Sequence, residues 1–216
     1  MNNFEVNTEL SETMQPYTEK ILLSIFPSID KIIRTTFDEN DEVKQILDKE
    51  LGVDAIIRFK NQSIITLQEK VRDFCFRNYD DFTIQYYTNR FSKTKYQWFK
   101  LASQLFFYGY VNEKEDGFLK WYIINIPAIR IFLSETKIKE ENEISYFKLQ
   151  DNHKWKKVQD NSKNNSNFIY VPFSKIPESC IPFSSFKNPI DISVMKKERK
   201  LPEMASYKEI ISKMEV

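Results

Sequence analysis

Three residues have the types and spacing to act together on a phosphodiester bond: Asp54, Gln68 and Lys70. Hydrolysing such a bond needs charge neutralisation on the phosphoryl group, an activated water and help for the leaving oxygen. A magnesium ion and a lysine together supply all three. Asp54 offers the metal a carboxylate, Gln68 a neutral carbonyl oxygen and the backbone near Glu69 a third oxygen, since magnesium or manganese accepts donors of either kind. Lys70 would position or deprotonate the attacking water, as an electrostatic clamp or, with its pKa lowered, as a base. A histidine base is not available for this work. The chain has one histidine, His153, in a polar stretch with no triad context.

A hairpin must bring these side chains together. Val53 to Phe59 and Ser63 to Val71 are rich in β-branched residues and separated only by the polar Lys60-Asn61-Gln62, which predicts two strands and a tight turn. Pairing about that turn makes Asp54 a neighbour of Gln68 to Lys70. A three-residue loop pairing Phe59 with Ser63 sets Asp54 opposite Gln68, with Lys70 on the same side one pleat further. A loop of two or four residues sets Asp54 opposite Glu69 instead and turns Lys70 away.

Elsewhere the periodicity alternates between helix and strand. Apolar residues from Tyr17 to Phe37 recur at three- and four-residue spacing, which predicts one helix ending near Phe26 and a second beginning near Pro27. Asp41 to Leu51 reads as a short helix with Asp41 as N-cap and Gly52 just past its end. Strands are expected at Asp81 to Tyr87, Phe106 to Val111, Leu119 to Ile126 and Phe168 to Pro172. Helices are expected at Tyr96 to Leu105 and Pro127 to Leu133. The polar stretch from Ser134 to Asn167 reads as a long loop. Phe106 to Tyr110 and Trp121 to Ile124 read as buried strands carrying aromatic bulk. Trp98 with Tyr96, Phe99, Lys95 and Lys100 reads as core packing, with a base-stacking and phosphate-binding face as the alternative.

With 216 residues, 41% of them hydrophobic, the chain can bury a sizeable core. Its 32 basic residues against 31 acidic ones leave a net charge of +1, so any nucleic-acid-binding face has to be a local patch. Candidates for such contacts are Arg72 and Arg77 beyond the hairpin, Lys95 among aromatic residues, and Lys154, Lys156 and Lys157 around Trp155. For each, a solvated surface position is the plain alternative. No apolar run approaches the roughly 20 residues of a membrane span, and no secretory leader is visible, so an intracellular protein is expected. Cys75 and Cys180 have no Cys or His neighbours and read as buried free thiols.

The segments Gly52-Val53-Asp54-Ala55-Ile56-Ile57 and Ile64-Ile65-Thr66-Leu67-Gln68-Glu69-Lys70-Val71-Arg72 resemble the signature of the PD-(D/E)XK nuclease superfamily, over about twenty residues. That pattern has an aspartate at the start of one strand and Glu-X-Lys or Asp-X-Lys on the next. Val53 replaces the usual preceding proline and Gln68 the second acid. Glutamine there is similar to a variant in some methylation-directed restriction endonucleases, which often carry Gly-Ile-Asp where this chain has Gly52-Val53-Asp54.

The resemblance implies an α/β, restriction-endonuclease-like mixed sheet flanked by helices. It also implies Asp54, Gln68 and Lys70 as catalytic residues, with Mg2+ or Mn2+ held by Asp54 and Gln68. No small-molecule cofactor is implied. Because Gln68 leaves the site short of charge, a further acid is expected from Asp48, Glu50, Glu42 or Asp30, with Asp48 and Glu50 preferred. The domain reading is a single nuclease core at 41–175, an N-terminal helical segment at 1–40 and a C-terminal extension at 176–216. The functional expectation is a DNA endonuclease, dimeric if both strands are cut. The rival is a nuclease-like protein that lost catalysis through Gln68 and acts by binding nucleic acid or a protein partner.

Overall fold

A computed structural model of the chain describes residues 3–35, 41–89, 94–135, 137–141, 144–148, 154–156, 159–161 and 166–190. Its elements begin with α1 (Asn3–Ile25), β1 (Ile29–Arg34), α2 (Glu42–Gln45) continued by a π-helical turn at Ile46–Glu50, β2 (Ala55–Phe59) and β3 (Ile64–Arg72). They go on through β4 (Asp81–Asn89), β5 (Thr94–Lys95), α3 (Gln97–Lys100), β6 (Leu105–Val111), β7 (Phe118–Asn125) and α4 (Ile126–Glu135). The remaining strands are β8 (Lys137–Glu141), β9 (Ile144–Lys148), β10 (Lys154–Lys156), β11 (Gln159–Asn161), β12 (Ser166–Pro172) and β13 (Phe183–Ser184).

The chain divides into two compact units that alternate along the sequence. One comprises Met1–Arg77, Ala102–Ile124 and Phe183–Val216, the other Asn78–Leu101 and Asn125–Pro182. The expected single core at 41–175 with terminal appendages at 1–40 and 176–216 is therefore not how the chain is divided. The N-terminal segment supplies a helix and a strand to the first unit, and the middle of the chain is shared between the two.

The first unit is built on a six-stranded mixed sheet in the order β1-β2-β3-β6-β7-β13. Its first three strands are antiparallel, and β6 runs parallel to β3. Alternation along β2 buries Ala55, Ile57 and Phe59. On that face they meet Leu67, Phe107, Trp121 and Ile123, and Ile21 and Leu22 of α1 close the cluster. Further along α1, Leu10 and Met14 pack with Val111 and the partly buried Val71. Fully burying one such side chain contributes about 1.5–3 kcal/mol, so α1 is held by its packing against the sheet. This packing also carries the helix through Pro16, well before the expected start at Tyr17. A Cβ on Gly109 would run into the Phe118 ring, so β6 needs glycine there.

The second unit contains a four-stranded antiparallel sheet, β11-β12-β4-β5, and a three-stranded one, β10-β9-β8. Phe82 and Ile84 of β4 stand opposite Val171 and Ile169 of β12, and all four are buried. In α4, Ile126, Ile129 and Leu133 are buried, and Asn125 caps the helix by accepting a hydrogen bond from the Ala128 amide at 3.0 Å. Pro127 lies in its first turn, as predicted.

Four sequence expectations are corrected here. The helix expected from Pro27 is the strand β1, because Ile29, Ile32 and Ile33 fit a helical stripe and a sheet equally well and pairing with β2 decides between them. The helix expected over Tyr96 to Leu105 is the single turn α3. The loop expected at 134–167 contains β8 to β11, short strands that the surrounding polar stretches concealed in the sequence. Cys75 is exposed, while Cys180 is buried; both are free. Among the described residues, no helix is long and apolar enough to cross a membrane.

Candidate functional site

The hairpin adopts the three-residue loop. Phe59 N–H donates to Ser63 C=O at 2.9 Å, and the pairs run Ala55 with Leu67, Ile57 with Ile65 and Arg58 with Ile64. Gln62 takes a left-handed conformation, φ 67°, as the last loop residue. Asn61 Oδ1 accepts from the Ser63 amide at 3.0 Å and from its hydroxyl at 2.7 Å, which fixes the turn. The ladder ends at Ala55 with Leu67; Asp54, just before β2, reaches Gln68 and Glu69 through its side chain, and Lys70 and Arg72 follow Gln68 on the same side of β3.

The Asp54 backbone is held from both sides. Its N–H donates to Leu67 C=O at 2.8 Å, and its C=O accepts from Thr35 N–H at 3.0 Å. The Thr35 hydroxyl donates to the neighbouring Val53 C=O. Gly52, at φ 55°, turns the chain out of the preceding helix, and its N–H donates to Asp48 C=O at 3.1 Å. Asp41 caps the start of that helix as predicted, accepting from the Lys44 amide at 3.1 Å.

The Asp54 carboxylate receives two neutral donors. Oδ2 accepts from Gln68 Nε2 and from the Glu69 amide, both at 2.6 Å. Burial raises its pKa to about 8, helped by the nearby Glu69 and Asp48 charges and opposed by the Glu69 N–H and by Arg34. Gln68 Nε2 also donates to Glu69 C=O at 3.3 Å, so one amide nitrogen sits between a carboxylate and a carbonyl oxygen. A half-turn of that amide exchanges Nε2 for Oε1 and groups three oxygens of the kind magnesium takes. The donor set therefore fits a hard divalent cation that keeps several of its waters.

Glu69, the residue between Gln68 and Lys70, points to the opposite face of β3. There Arg34 Nη1 donates to Glu69 Oε2 at 2.6 Å and Arg34 Nε to Glu19 Oε1 at 2.9 Å. Burial disfavours the Arg34 charge, but the two carboxylates outweigh it and hold the guanidinium above its ordinary pKa. Burial also raises the Glu69 pKa, and Arg34 opposes that only in part. Arg34 Nη2 and Glu69 Oε1 find no hydrogen-bond partner among the described residues. Sequence reading missed this triad. Arg34 stands twenty residues before Asp54, and nothing in local spacing announces that it meets Glu69.

The other predicted residues are distributed unevenly. The Lys70 ammonium lies over the Tyr108 ring at 5.7 Å, and Arg72 Nη1 donates to the Tyr108 hydroxyl at 3.3 Å while its guanidinium covers Phe76 at 4.3 Å. Arg77 covers Phe74, also at 4.3 Å. Lys95 belongs to the second unit, over Phe99 at 5.0 Å. Lys154 and Lys156 fall on β10, and Lys157, like His153 and the basic run at 196–200, lies outside the described residues.

Of the further acids, Asp48 acts electrostatically on Asp54, and burial raises its own pKa. Glu50 and Glu42 are exposed, and Asp30 is taken up by Arg58 at 2.5 Å. Among the described residues, no three His, Cys, Asp or Glu side chains form a metal-binding cluster. No known family model matches this sequence, and no curated protein matches it.

Proposed function

We propose that the protein is a divalent-cation-dependent DNA endonuclease of the PD-(D/E)XK type, with Asp54, Gln68 and Lys70 as its working residues. The observation that carries this reading is the hairpin register, which brings the Asp54 carboxylate, the Gln68 amide and the Glu69 carbonyl to one point. The mixed sheet with α1 against one face agrees with the fold implied by the resemblance, and β3 carries the site on its other face.

Asp54, Gln68 Oε1 and the Glu69 carbonyl would hold magnesium or manganese, with Asp48 adding negative charge nearby. The bound cation would supply charge neutralisation at the phosphoryl group. Lys70 orients the attacking water and stabilises the growing negative charge with its ammonium, one pleat beyond Gln68 on β3. Arg72, next on that side of β3, steadies Tyr108 beneath Lys70.

A second reading rests on the same amide. Gln68 Nε2 already satisfies Asp54 without a cation, and a binding protein with this fold needs nothing more. The two readings part on cleavage. Supercoiled, linear and branched DNA, with single-stranded and duplex RNA alongside, are incubated with magnesium or manganese and with wild type, Asp54→Ala and Lys70→Ala. The nuclease reading expects metal-dependent nicking by wild type and a loss of about 10²- to 10⁴-fold in Lys70→Ala. Equal cleavage by all three proteins, or none by wild type, overturns it.

A further inference from the structure

Residues 82–100 contain seven aromatic residues and four basic ones, Arg90, Lys93, Lys95 and Lys100, without a single aspartate or glutamate. In a chain of net charge +1 this is a strong local concentration of positive charge. The described part of the segment arranges it as a platform. Tyr86 and Tyr87 are consecutive on β4, and a regular strand would point them to opposite faces. Here Tyr87 pairs with Asn167 and Gln85 with Phe168, so Tyr86 is an extra, bulged residue. The bulge puts both tyrosine rings against Phe99, at 4.7 Å and 6.1 Å, with the Tyr87 and Phe99 planes only 19° apart.

Phe99 remains 38% exposed, and both tyrosines are half-buried. Lys95 lies over the Phe99 ring at 5.0 Å and Lys100 over Tyr96 at 5.6 Å. The single turn α3 is anchored from beneath by Arg130, which donates to the carbonyls of Trp98 at 2.6 Å and Leu101 at 2.8 Å while covering the Trp98 ring. Aromatic surface left open to solvent and bordered by lysines suits a ligand with flat apolar faces and a regular run of negative charges. Unpaired nucleotides have both, whereas the bases of a duplex are stacked on one another and offer no free faces.

We infer that the Tyr86–Tyr87–Phe99 platform, with Lys95 and Lys100, is a binding site for single-stranded DNA. The choice of DNA rests on the nuclease reading; the stacking chemistry does not. The site gives that nuclease a substrate class, DNA containing an unpaired stretch, such as a flap, gap or branch.

The test is fluorescence anisotropy of a labelled 20-nucleotide oligo-dT with the full chain in EDTA, so that neither cleavage nor a metal is involved. Wild type should bind oligo-dT more tightly than a duplex of equal length and more tightly than oligo-rU. Phe99→Ala and Tyr87→Ala should each weaken binding by about tenfold. Phe99→Trp should restore it. Lys95→Ala should lower the slope of log affinity against log salt by about 0.7. Unchanged oligo-dT affinity in Phe99→Ala with Phe99→Trp equally unchanged, or equal binding of duplex and single strand, overturns the site. Tighter binding of oligo-rU overturns the assignment to DNA. Absence of cleavage with intact oligo-dT binding would contradict the nuclease reading alone.

Discussion

Asp54 and Glu69 are carboxylates joined through a single hydrogen bond, Glu69 N–H to Asp54 Oδ2, yet they meet opposite fates on the two faces of β3. Glu69 faces α1, where Arg34 supplies a guanidinium and Glu19 completes a buried triad. Asp54 faces the other way, and its carboxylate accepts from the Gln68 amide and the Glu69 N–H, while Arg34 acts on it only electrostatically. Glu69 has a guanidinium within the fold, shared with Glu19 and offsetting its burial in part, while Asp54 is left to be neutralised by a proton or by something that binds. A carboxylate that serves only structure resembles Glu69; one kept short of a counter-ion at the start of a buried strand is a candidate for chemistry.

The largest expected effect is on the compensated side. Arg34→Met leaves Glu19 and Glu69 buried without their partner and should destabilise the protein by about 3–5 kcal/mol in chemical denaturation. A loss below about 1 kcal/mol would mean that the triad is no counterpart to the Asp54 site.

Next comes Asp54 itself. Its folded-state pKa is about 8 against 3.8 for the free side chain, so between those values the folded protein holds a proton that the unfolded chain releases. The metal-free protein should therefore lose stability as pH rises from about 4 to 8. Asp54→Asn keeps an oxygen acceptor for the Glu69 amide and loses the charge, so at pH 8 it should be the more stable protein by about 2 kcal/mol, with the gap shrinking towards pH 5. Thermal melts of both proteins across that range, in EDTA, check the sign.

The smallest effect concerns the register that separates the two carboxylates. Gln62 occupies a left-handed position that glycine takes without strain. Gln62→Gly should raise stability by about 0.5 kcal/mol and leave cleavage unchanged, as measured by denaturant midpoint and nicking rate.

Local pattern made the hairpin legible. The β-branched runs around Lys60-Asn61-Gln62 specify two strands, and a three-residue loop then fixes which residues stand opposite. The Asp41 cap, Gly52 and the aromatic strands around Tyr108 and Ile123 were legible for the same reason. What local pattern does not carry is long-range. Ile29 to Ile33 read as helix because a three-to-four spacing is ambiguous until β2 is there to pair with it. The Arg34–Glu69 contact joins residues 35 positions apart, and the Tyr86 bulge depends on the partner strand β12. The division into two units follows from which segments pack together and leaves no composition break in the sequence.

The central claim is that the Asp54–Gln68 site takes a divalent cation in place of a proton. Calorimetric titration of Mn2+ at pH 7, repeated in buffers of different ionisation enthalpy, counts the protons released on binding. With a pKa of about 8, Asp54 is mostly protonated at pH 7, so wild type should release close to one proton per Mn2+ bound and far less at pH 9. Asp54→Asn should show neither that binding nor that release. Equal Mn2+ affinity and proton release in wild type and Asp54→Asn would contradict the claim.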